Sequence, residues 1–503
     1  MRRIDTATNS GIGGRVLLLF LLFSLALYTF KTSGLNMFAV VFGGVPAGLL
    51  AAYYIFKYRM ITFWMLFIVN YTIMFITRFV NIGLPASLPN EMIEILLIVL
   101  AIIDAKDMKM ERVANIMFLM LLIWCAYCIL EIANNTCDLG FNVGLWYQGI
   151  RLISFQLIYA FAVCAIYIYK PQDLSKFLFF WGGCILFSTF WVFKQKYIGM
   201  TESEKAWLAE SKTHNLSTGI RYWSIFTDAA NFGCHMGAAA TAFFIAAITT
   251  KIKKHRKYFL AVGIAATWCM FTSGTRTAIF CMIAGFAVYM VLARSFKIII
   301  PTATIFGLFI SFLAFTNIAN GNQMIRRMRS GFKAGDASTN ARSMNQATLR
   351  KYLRDAPWGL GIGMNYDKVP PGNKYKFAAT VPPDSEYVYI WVHTGWIGLT
   401  IFLFTTFVML TGACWTVMFR VKNRALGGIG AGFCCAFVGI QLGGYGNQIL
   451  MQFPNVLVFY GGLSLVYCLP RIEPEWEKYE AKLLAEQTEQ ERIKLEKERA
   501  KRV

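Results

Sequence analysis

The chain has 503 residues, of which 57% are hydrophobic and only 15% are charged. Soluble globular proteins carry about 25% charged residues. The apolar residues here lie in blocks of about twenty, the length that crosses roughly 30 Å of hydrocarbon. This composition excludes a soluble multidomain enzyme, a nucleic-acid-binding domain and a disordered scaffold. The formal net charge of +22 must therefore be divided between the two faces of a membrane before it indicates a partner.

The apolar blocks predict an all-α polytopic integral membrane protein with about 14 transmembrane helices, and 12 is the alternative count. The basic N-terminal segment leads into one apolar run and then directly into a second, which indicates a transmembrane helix rather than a cleaved signal. Two blocks are unusual. Block 91–105 is short and begins with acidic residues, whereas block 386–418 is long enough to hold a re-entrant piece, broken at Gly395 and Gly398, before the span itself.

The blocks divide the chain into four parts. A transmembrane bundle of eleven spans covers 1–315 with an external loop at 194–222, a large external loop covers 316–385, further spans cover 386–469, and a charged tail covers 470–503. Twenty lysines and arginines lie in the short loops of one side, against four on the other side: Lys31, Arg78, Arg151 and Arg276. Because cytoplasmic loops are enriched in cations, both termini are predicted to be cytoplasmic, and the tail is predicted to be a cytoplasmic charged helix.

The second external loop has an unexpected charge. Residues 316–383 carry eleven lysines and arginines against three aspartates, on the side that is normally poor in cations. A loop of this length is typical of a functional cap over the outer face. An anionic ligand would account for the excess charge, and attraction to anionic lipid headgroups is the alternative.

Two arginines outside this loop point to the same chemistry. Arg276 lies in a tight hairpin, FTSGTRTAIF, between two apolar blocks. Arg221 stands just before another block, with Asp228 and Asn231 at its mouth. A guanidinium at headgroup depth has phosphate as its natural partner, although a lone interfacial arginine can also simply reach to the membrane surface.

Four segments, taken in chain order, resemble the O-antigen ligase and polymerase superfamily of bacterial polysaccharide assembly. They are IRYWSIFTDAANFGCHMG with Arg221, FTSGTRTAIF with Arg276, the external-loop Arg342 followed by the turn Pro357-Trp358-Gly359-Leu360-Gly361-Ile362-Gly363, and Asp384-Ser385-Glu386-Tyr387 with Gly395 and Gly398. The sequence departs from the family pattern in places. Family ligases usually have a histidine where this chain has Asp384, and an aspartate is more like the polymerases. His393 replaces a glutamate, and Ser224 and Ala229 replace a glycine and a proline.

The resemblance implies a membrane glycosyltransferase that polymerises polyprenyl-diphosphate-linked oligosaccharide repeat units into O-antigen or exopolysaccharide, on the outer side of the bacterial cytoplasmic membrane. The first alternative is a ligase that transfers the glycan to a lipid or protein acceptor. A flippase or exporter of the same lipid is a different class, and it is disfavoured because the span centres are almost free of charge. The expected partners are the lipid-linked donor and acceptor, the bilayer, and a chain-length regulator or other polysaccharide-assembly protein. Neither a cofactor nor a metal is expected, nor is nucleic acid a partner.

The resemblance also assigns roles to residues. Arg221, Arg276 and Arg342 are predicted to bind the substrate diphosphate, because cations stabilise the charge that develops on a leaving group. The general base that deprotonates the acceptor hydroxyl is predicted to be Asp384, with His393 second and Glu386 third. Asp384 as a helix N-cap and Glu386 as a helix N-terminal charge are the structural alternatives. Weaker substrate contacts are expected from three further residues, which are Tyr387, Asn231 and Asp228.

Overall fold

A computed structural model describes residues 45–79, 85–105, 110–211, 213–216, 219–293, 295–332 and 337–500, together with four isolated positions nearer the N-terminus. Apart from three of these isolated positions, the first predicted span, 16–30, lies outside the described part, as do residues 36–44 of the second. The chain divides into two compact units, residues 1–65 and 66–503. The first unit contains helix α1 and the start of helix α2, and all the candidate site residues lie in the second.

Helices make up most of the described chain. The first half contains α1 (Val45–Lys57), α2 (Arg59–Ile76), α3 (Leu88–Ile103), α4 (Ile116–Leu130), α5 (Val143–Ile150), α6 (Gln156–Tyr167), α7 (Pro171–Phe193), α8 (Glu202–Glu210) and α9 (Ala229–Thr249). The second half contains α10 (Lys253–Thr272), α11 (Arg276–Leu292), α12 (Phe296–Phe315), α13 (Gln323–Ser330), α14 (Ala337–Leu353), α15 (Glu386–Trp415), α16 (Arg424–Gly446) and α17 (Gly461–Ala500). Two short strands, β1 (Asn215–Leu216) and β2 (Gly219–Ile220), pair antiparallel.

The predominantly helical architecture with helices that could span a membrane is confirmed, but the count of fourteen spans is not. Eight helices of the described residues are long and apolar enough to cross a membrane: Arg59–Ile76, Ile116–Ala133, Val143–Tyr167, Pro171–Ile198, Ala229–Thr249, Glu386–Arg420, Arg424–Gly446 and Val456–Ala500. Arg276–Leu292 and Ile299–Phe315 are shorter apolar helices. The number of spans therefore stays a prediction.

One boundary differs from the sequence prediction. Arg151 was expected at the outer end of a span, but it lies inside the continuous segment Val143–Tyr167. Its guanidinium lies 3.6 Å from the carboxylate of Glu91 and donates to the Ser87 hydroxyl at 2.6 Å. The acidic residue at the start of the short block 91–105 thus has a basic partner, which lowers the cost of burying its charge.

The centre of the second unit is built on small residues. Helices α9 and α16 are the most buried of the candidate spans. A Cβ atom on Gly237 would lie 2.5 Å from the carbonyl oxygen of Ala278, and one on Gly439 would lie 2.7 Å from that of Cys281. Both carbonyls belong to α11. In lipid, helices have no hydrophobic drive to associate, and close backbone packing of this kind takes its place. It holds α9, α11 and α16 together.

Helix α15 is interrupted where the sequence predicted a break. Gly395 has φ 66° and ψ −173°, outside the helical region, whereas Gly398 belongs to the regular helix that follows. A Cβ on Gly395 would overlap the carbonyl oxygen of Pro357. Glycine is therefore required here both for its backbone conformation and for its lack of a side chain.

The large loop that precedes α15 contributes to a small apolar core. Leu349, Leu353, Leu360 and Val369 pack with Val392 of helix α15 and further buried residues, among them Cys137, Ala356, Tyr375, Ala378 and Val388. This part of the loop is therefore folded, and burial of its apolar side chains fixes it against the first turns of α15.

The charged tail is helical, as predicted, and it continues the last apolar segment without interruption through Pro470 and Pro474. It contacts two basic loops. The backbone N–H of Lys253 donates to the Gln487 side chain at 2.7 Å, and the Asn423 side chain donates to Glu480 at 2.8 Å. The tail and these two loops therefore lie at the same end of the helices, which agrees with their predicted placement on one face.

Candidate active site

Several loops meet at the opposite end of the bundle, around the hairpin that joins α10 to α11. The Arg221 guanidinium donates to Thr275 Oγ1 at 2.9 Å and to the carbonyl oxygen of Thr213 at 3.1 Å. Arg327, from the large loop, donates to the carbonyl oxygen of Gly274 at 2.6 Å. Arg276 donates to the hydroxyl of Ser330 at 3.3 Å. The hairpin thus contacts both the loop that carries Arg221 and the large loop.

The three predicted diphosphate-binding arginines converge. Burial lowers the pKa of Arg221, the nearby positive charges of Arg276 and Arg342 act in the same direction, and the Asp228 carboxylate opposes them. Arg276 and Arg342 therefore both lie near enough to Arg221 for their charges to act on it. Arg342 is partly buried on helix α14, and its guanidinium has no hydrogen-bond or ion-pair partner among the described residues. A cluster of like charges with an unpartnered member is suited to an anionic ligand.

Asp384 lies beside this cluster. Its Oδ2 accepts a hydrogen bond from the Asn345 side chain at 2.8 Å. Asn345 is three residues after Arg342 on helix α14, so the two side chains share one helix face. Asp384 is not the N-cap of α15, because the helix begins at Glu386 and the cap position is Ser385. No described residue donates a hydrogen bond to Asp384 Oδ1, which leaves this oxygen available.

The other two predicted bases are occupied by protein groups. Glu386 is only 3% exposed, and its Oε2 accepts from the backbone N–H of Leu450 at 2.9 Å. His393 lies with Nδ1 2.8 Å from the Tyr389 carbonyl oxygen and with Nε2 3.0 Å from that of Met364. Neither ring nitrogen is free to accept a proton from a substrate hydroxyl. Asp384 is therefore the candidate with a carboxylate oxygen that no described residue engages, whereas protein groups hold Glu386 and His393.

The glycine-rich turn fastens the large loop to the break in α15. The backbone N–H of Leu360 donates to the Val392 carbonyl at 2.8 Å, and that of Gly361 donates to the His393 carbonyl at 3.0 Å. Gly359 has φ +73°, and a Cβ there would lie 2.7 Å from the carbonyl carbon of His393. The interruption at Gly395 frees backbone acceptors, and the turn satisfies them. This clasp holds the start of α15, and with it Asp384, in place.

The three residues predicted as weaker substrate contacts have structural partners. The Asp228 carboxylate caps helix α9 by accepting from the backbone N–H groups of Ala230 and Asn231 at 2.7 and 3.0 Å. Asn231 is fully buried and donates to the carbonyl oxygen of Phe453 at 2.8 Å. The Tyr387 hydroxyl donates to the carbonyl oxygen of Gln441 at 2.9 Å. Asp228 remains partly exposed beside the arginines, whereas Asn231 and Tyr387 pack between helices.

Sequence reasoning missed the connection between α16 and the last helical segment. The Gln448 side chain donates to the carbonyl oxygen of Pro383, immediately before Asp384. The Asn447 side chain donates to the hydroxyl of Thr277, next to Arg276, at 3.2 Å. This connection therefore ties the base candidate to the arginine hairpin. The signal in the sequence was the stretch 447–455, which has four amide side chains between two apolar blocks.

The loop that carries Arg221 is held by a buried histidine. His214 is 4% exposed, and its Nε2 lies 3.0 Å from the backbone N–H of Ala229, the first residue of α9. The backbone N–H of Arg221 in turn donates to the His214 carbonyl at 2.9 Å. Burial, together with the positive charges of Arg221 and Arg78, lowers the pKa of His214 to about 4. The neutral ring therefore accepts a hydrogen bond that links the Arg221 loop to the first residue of helix α9.

Residues 260–403 match the family model described as O-antigen ligase. The resemblance to the O-antigen ligase/polymerase superfamily is confirmed. The matched segment contains Arg276, Arg342, the glycine turn and Asp384, whereas Arg221 lies outside it. No curated protein matches the chain. The O-antigen ligase match, together with the apolar helices, implies a bacterial inner-membrane protein with glycosyltransferase-type activity on lipid-linked glycans. Over the described residues, no group of three or more His, Cys, Asp or Glu side chains could hold a metal ion.

Proposed function

We propose that this protein is a polymerase of polyprenyl-diphosphate-linked oligosaccharide repeat units, working on the outer side of the cytoplasmic membrane. The observation that carries the proposal is the meeting of Arg221, Arg276 and Arg342, from three separate segments, beside Asp384. Three guanidinium groups fit the several oxygens of a diphosphate, since each can form paired hydrogen bonds to phosphate.

The residues divide the chemistry between them. The acceptor sugar hydroxyl attacks the anomeric carbon of the donor, the bond from this carbon to the phosphate oxygen breaks, and polyprenyl diphosphate leaves with the bonding electrons. The arginines stabilise the negative charge that develops on the diphosphate. Asp384 Oδ1 takes the proton of the attacking hydroxyl. The donor is already activated, so the transfer needs no further energy source.

The proposed orientation follows from charge and from the arrangement of the loops. Both termini, the tail and the basic loop at 251–257 would face the cytoplasm, where short cationic loops accumulate. The arginine cluster, the large loop and the 447–455 connection would then face outward. This is the side on which a lipid-linked glycan presents its sugar to a second repeat unit.

Transfer to a lipid or protein acceptor is the second candidate activity, because the matched family model is described as O-antigen ligase. Asp384 favours the polymerase over the ligase, since the ligases that the sequence resembles carry a histidine there. Both activities use the same donor and the same arginine cluster, and they differ in the acceptor. A flippase is disfavoured, because the arginines lie at the helix ends rather than along a path through the bundle.

The test is a transfer assay with the purified full-length protein and a polyprenyl-diphosphate-linked oligosaccharide. A polymerase gives a ladder of products that differ by one repeat unit, whereas a ligase gives a single transfer that requires a second carrier. The matched control is Arg342→Ala, which we expect to lower the rate of either reaction. The absence of any glycan transfer by protein that is folded and monodisperse would contradict the proposal.

A further inference from the structure

A cavity of about 510 Å³ lies at the other end of the helices, away from the candidate active site. It is formed by the start of helix α4, the end of the segment Glu386–Arg420 and the middle of the last helical segment. Helix α15 runs from the candidate site at Glu386 to this cavity at Trp415. The regular helix that follows the break at Gly395 reaches Trp415 after about twenty residues, which at 1.5 Å per residue is roughly 30 Å. The cavity is therefore separate from the arginine cluster that serves the proposed reaction.

One part of the cavity wall is cationic. Three arginines from three different segments line it, namely Arg112, Arg420 and Arg471. Within the described part of the chain, none of these guanidinium groups forms a hydrogen bond or an ion pair with another side chain. Arg112 lies 4.9 Å from the ring centre of Tyr169. Burial lowers the pKa of Arg112, Arg471 acts in the same direction, and Glu475 is an acidic residue that opposes them.

The remainder of the wall is apolar and comes from the membrane-spanning helices. Ile116, Trp415 and Tyr467 line this part, and Trp415 is 59% exposed. Tryptophan and arginine side by side at a helix end are typical of the membrane interface. The cavity thus combines unpartnered cations with an apolar face at the level where a lipid headgroup meets its acyl chains.

We propose that this cavity binds an anionic phospholipid, with the headgroup phosphate at the three arginines and an acyl chain along Trp415 and Ile116. Arginine is suited to the phosphate because its planar fork donates in pairs. A basic pocket between transmembrane helices is a known arrangement for such headgroups. A soluble phosphate would satisfy the arginines but would leave the apolar wall without a partner, so the lipid explains both halves. The site is independent of the proposed polymerase reaction.

The test is native mass spectrometry of the full-length protein in detergent, with phosphatidylglycerol, phosphatidylcholine or inorganic phosphate added. We expect phosphatidylglycerol to remain bound to the wild type and phosphatidylcholine to be lost. Arg420→Gln and Arg471→Gln replace exposed side chains, so neither variant should disturb folding, which size-exclusion chromatography checks. Each should lower retention of phosphatidylglycerol roughly fivefold, since one basic residue near an anionic headgroup contributes about one such factor.

The matched control is Arg256→Gln, because Arg256 is exposed in the first turn of α10, at the same end of the bundle, but does not line the cavity. Retention should not change in this variant. Equal loss in Arg256→Gln and Arg471→Gln would overturn the proposal in favour of general surface charge. Equal retention of both phospholipids, or competition by inorganic phosphate at the same concentration as the lipid, would also overturn it.

Discussion

Arg342 provides the cleanest test of the arginine cluster. Arg221 and Arg276 also hold loops together, so their removal combines loss of charge with loss of structure. Arg342 has no hydrogen-bond or ion-pair partner in the described part of the chain, yet its positive charge helps to lower the pKa of Arg221. A charge-assisted hydrogen bond contributes about 1.5–3 kcal/mol. Arg342→Ala should therefore lower kcat/KM roughly 10- to 150-fold, with little effect on thermal unfolding.

The assay compares initial rates of transfer from the lipid-linked donor by purified variants at matched protein concentration. Arg350→Ala is the control, because Arg350 is an exposed arginine on the same helix and its removal changes the net charge equally. Arg342→Lys should recover only part of the rate, since an ammonium group lacks the paired donors of a guanidinium. Equal rates for Arg342→Ala and Arg350→Ala would refute a role for the cluster in transition-state stabilisation.

Three further predictions test other parts of the site. Asp384→Asn should keep the contact with Asn345 but lower turnover at least roughly 100-fold, because an amide cannot take the proton; a near-normal transfer rate would exclude it as the base. Gly361→Ala should destabilise by about 1–2 kcal/mol through positive φ alone, whereas Gly359→Ala should lower the thermal midpoint further through overlap with α15; equal midpoints would argue against the clasp. The pKa of His214 is lowered from 6.5 to about 4, so unfolded chains bind more protons in this range and stability should fall as pH drops from about 6.5 to 4. Thermal midpoints should show this loss in the wild type and a weaker one in His214→Gln, and identical profiles would contradict the assignment.

The sequence predicted the features that depend on local pattern. The length of the apolar blocks predicted a helical membrane protein, since the thickness of the hydrocarbon core sets the length of a membrane-spanning helix. The break at Gly395 was predicted because a block that is too long for one span contained glycines. The three arginines were expected near one another because all were predicted to lie on the same side of the membrane, each at the outer end of a span or in the large loop. The roles assigned to these residues stay predictions.

Features that depend on distant contacts were not predicted. Glu386 and His393 are seven residues apart, a spacing that puts both on one face of a helix. The spacing could not show that the first is held by the backbone near Leu450 and the second by that of Met364. The helix-capping alternative for Asp384 failed because its actual partner, Asn345, lies on another helix. The ion pair between Arg151 and Glu91 was likewise not predicted, because the sequence does not show which helix lies beside Arg151.

In the proposed reaction, the arginine cluster recognises the diphosphate of a lipid-linked glycan and stabilises its departure. The most direct measurement compares the rate of transfer from a polyprenyl-diphosphate-linked oligosaccharide with that from the corresponding monophosphate-linked compound, for the wild type and for Arg342→Ala. We expect a strong preference of the wild type for the diphosphate donor and a reduced preference in the variant. Equal use of the two donors by the wild type, or an unchanged preference in Arg342→Ala, would contradict it.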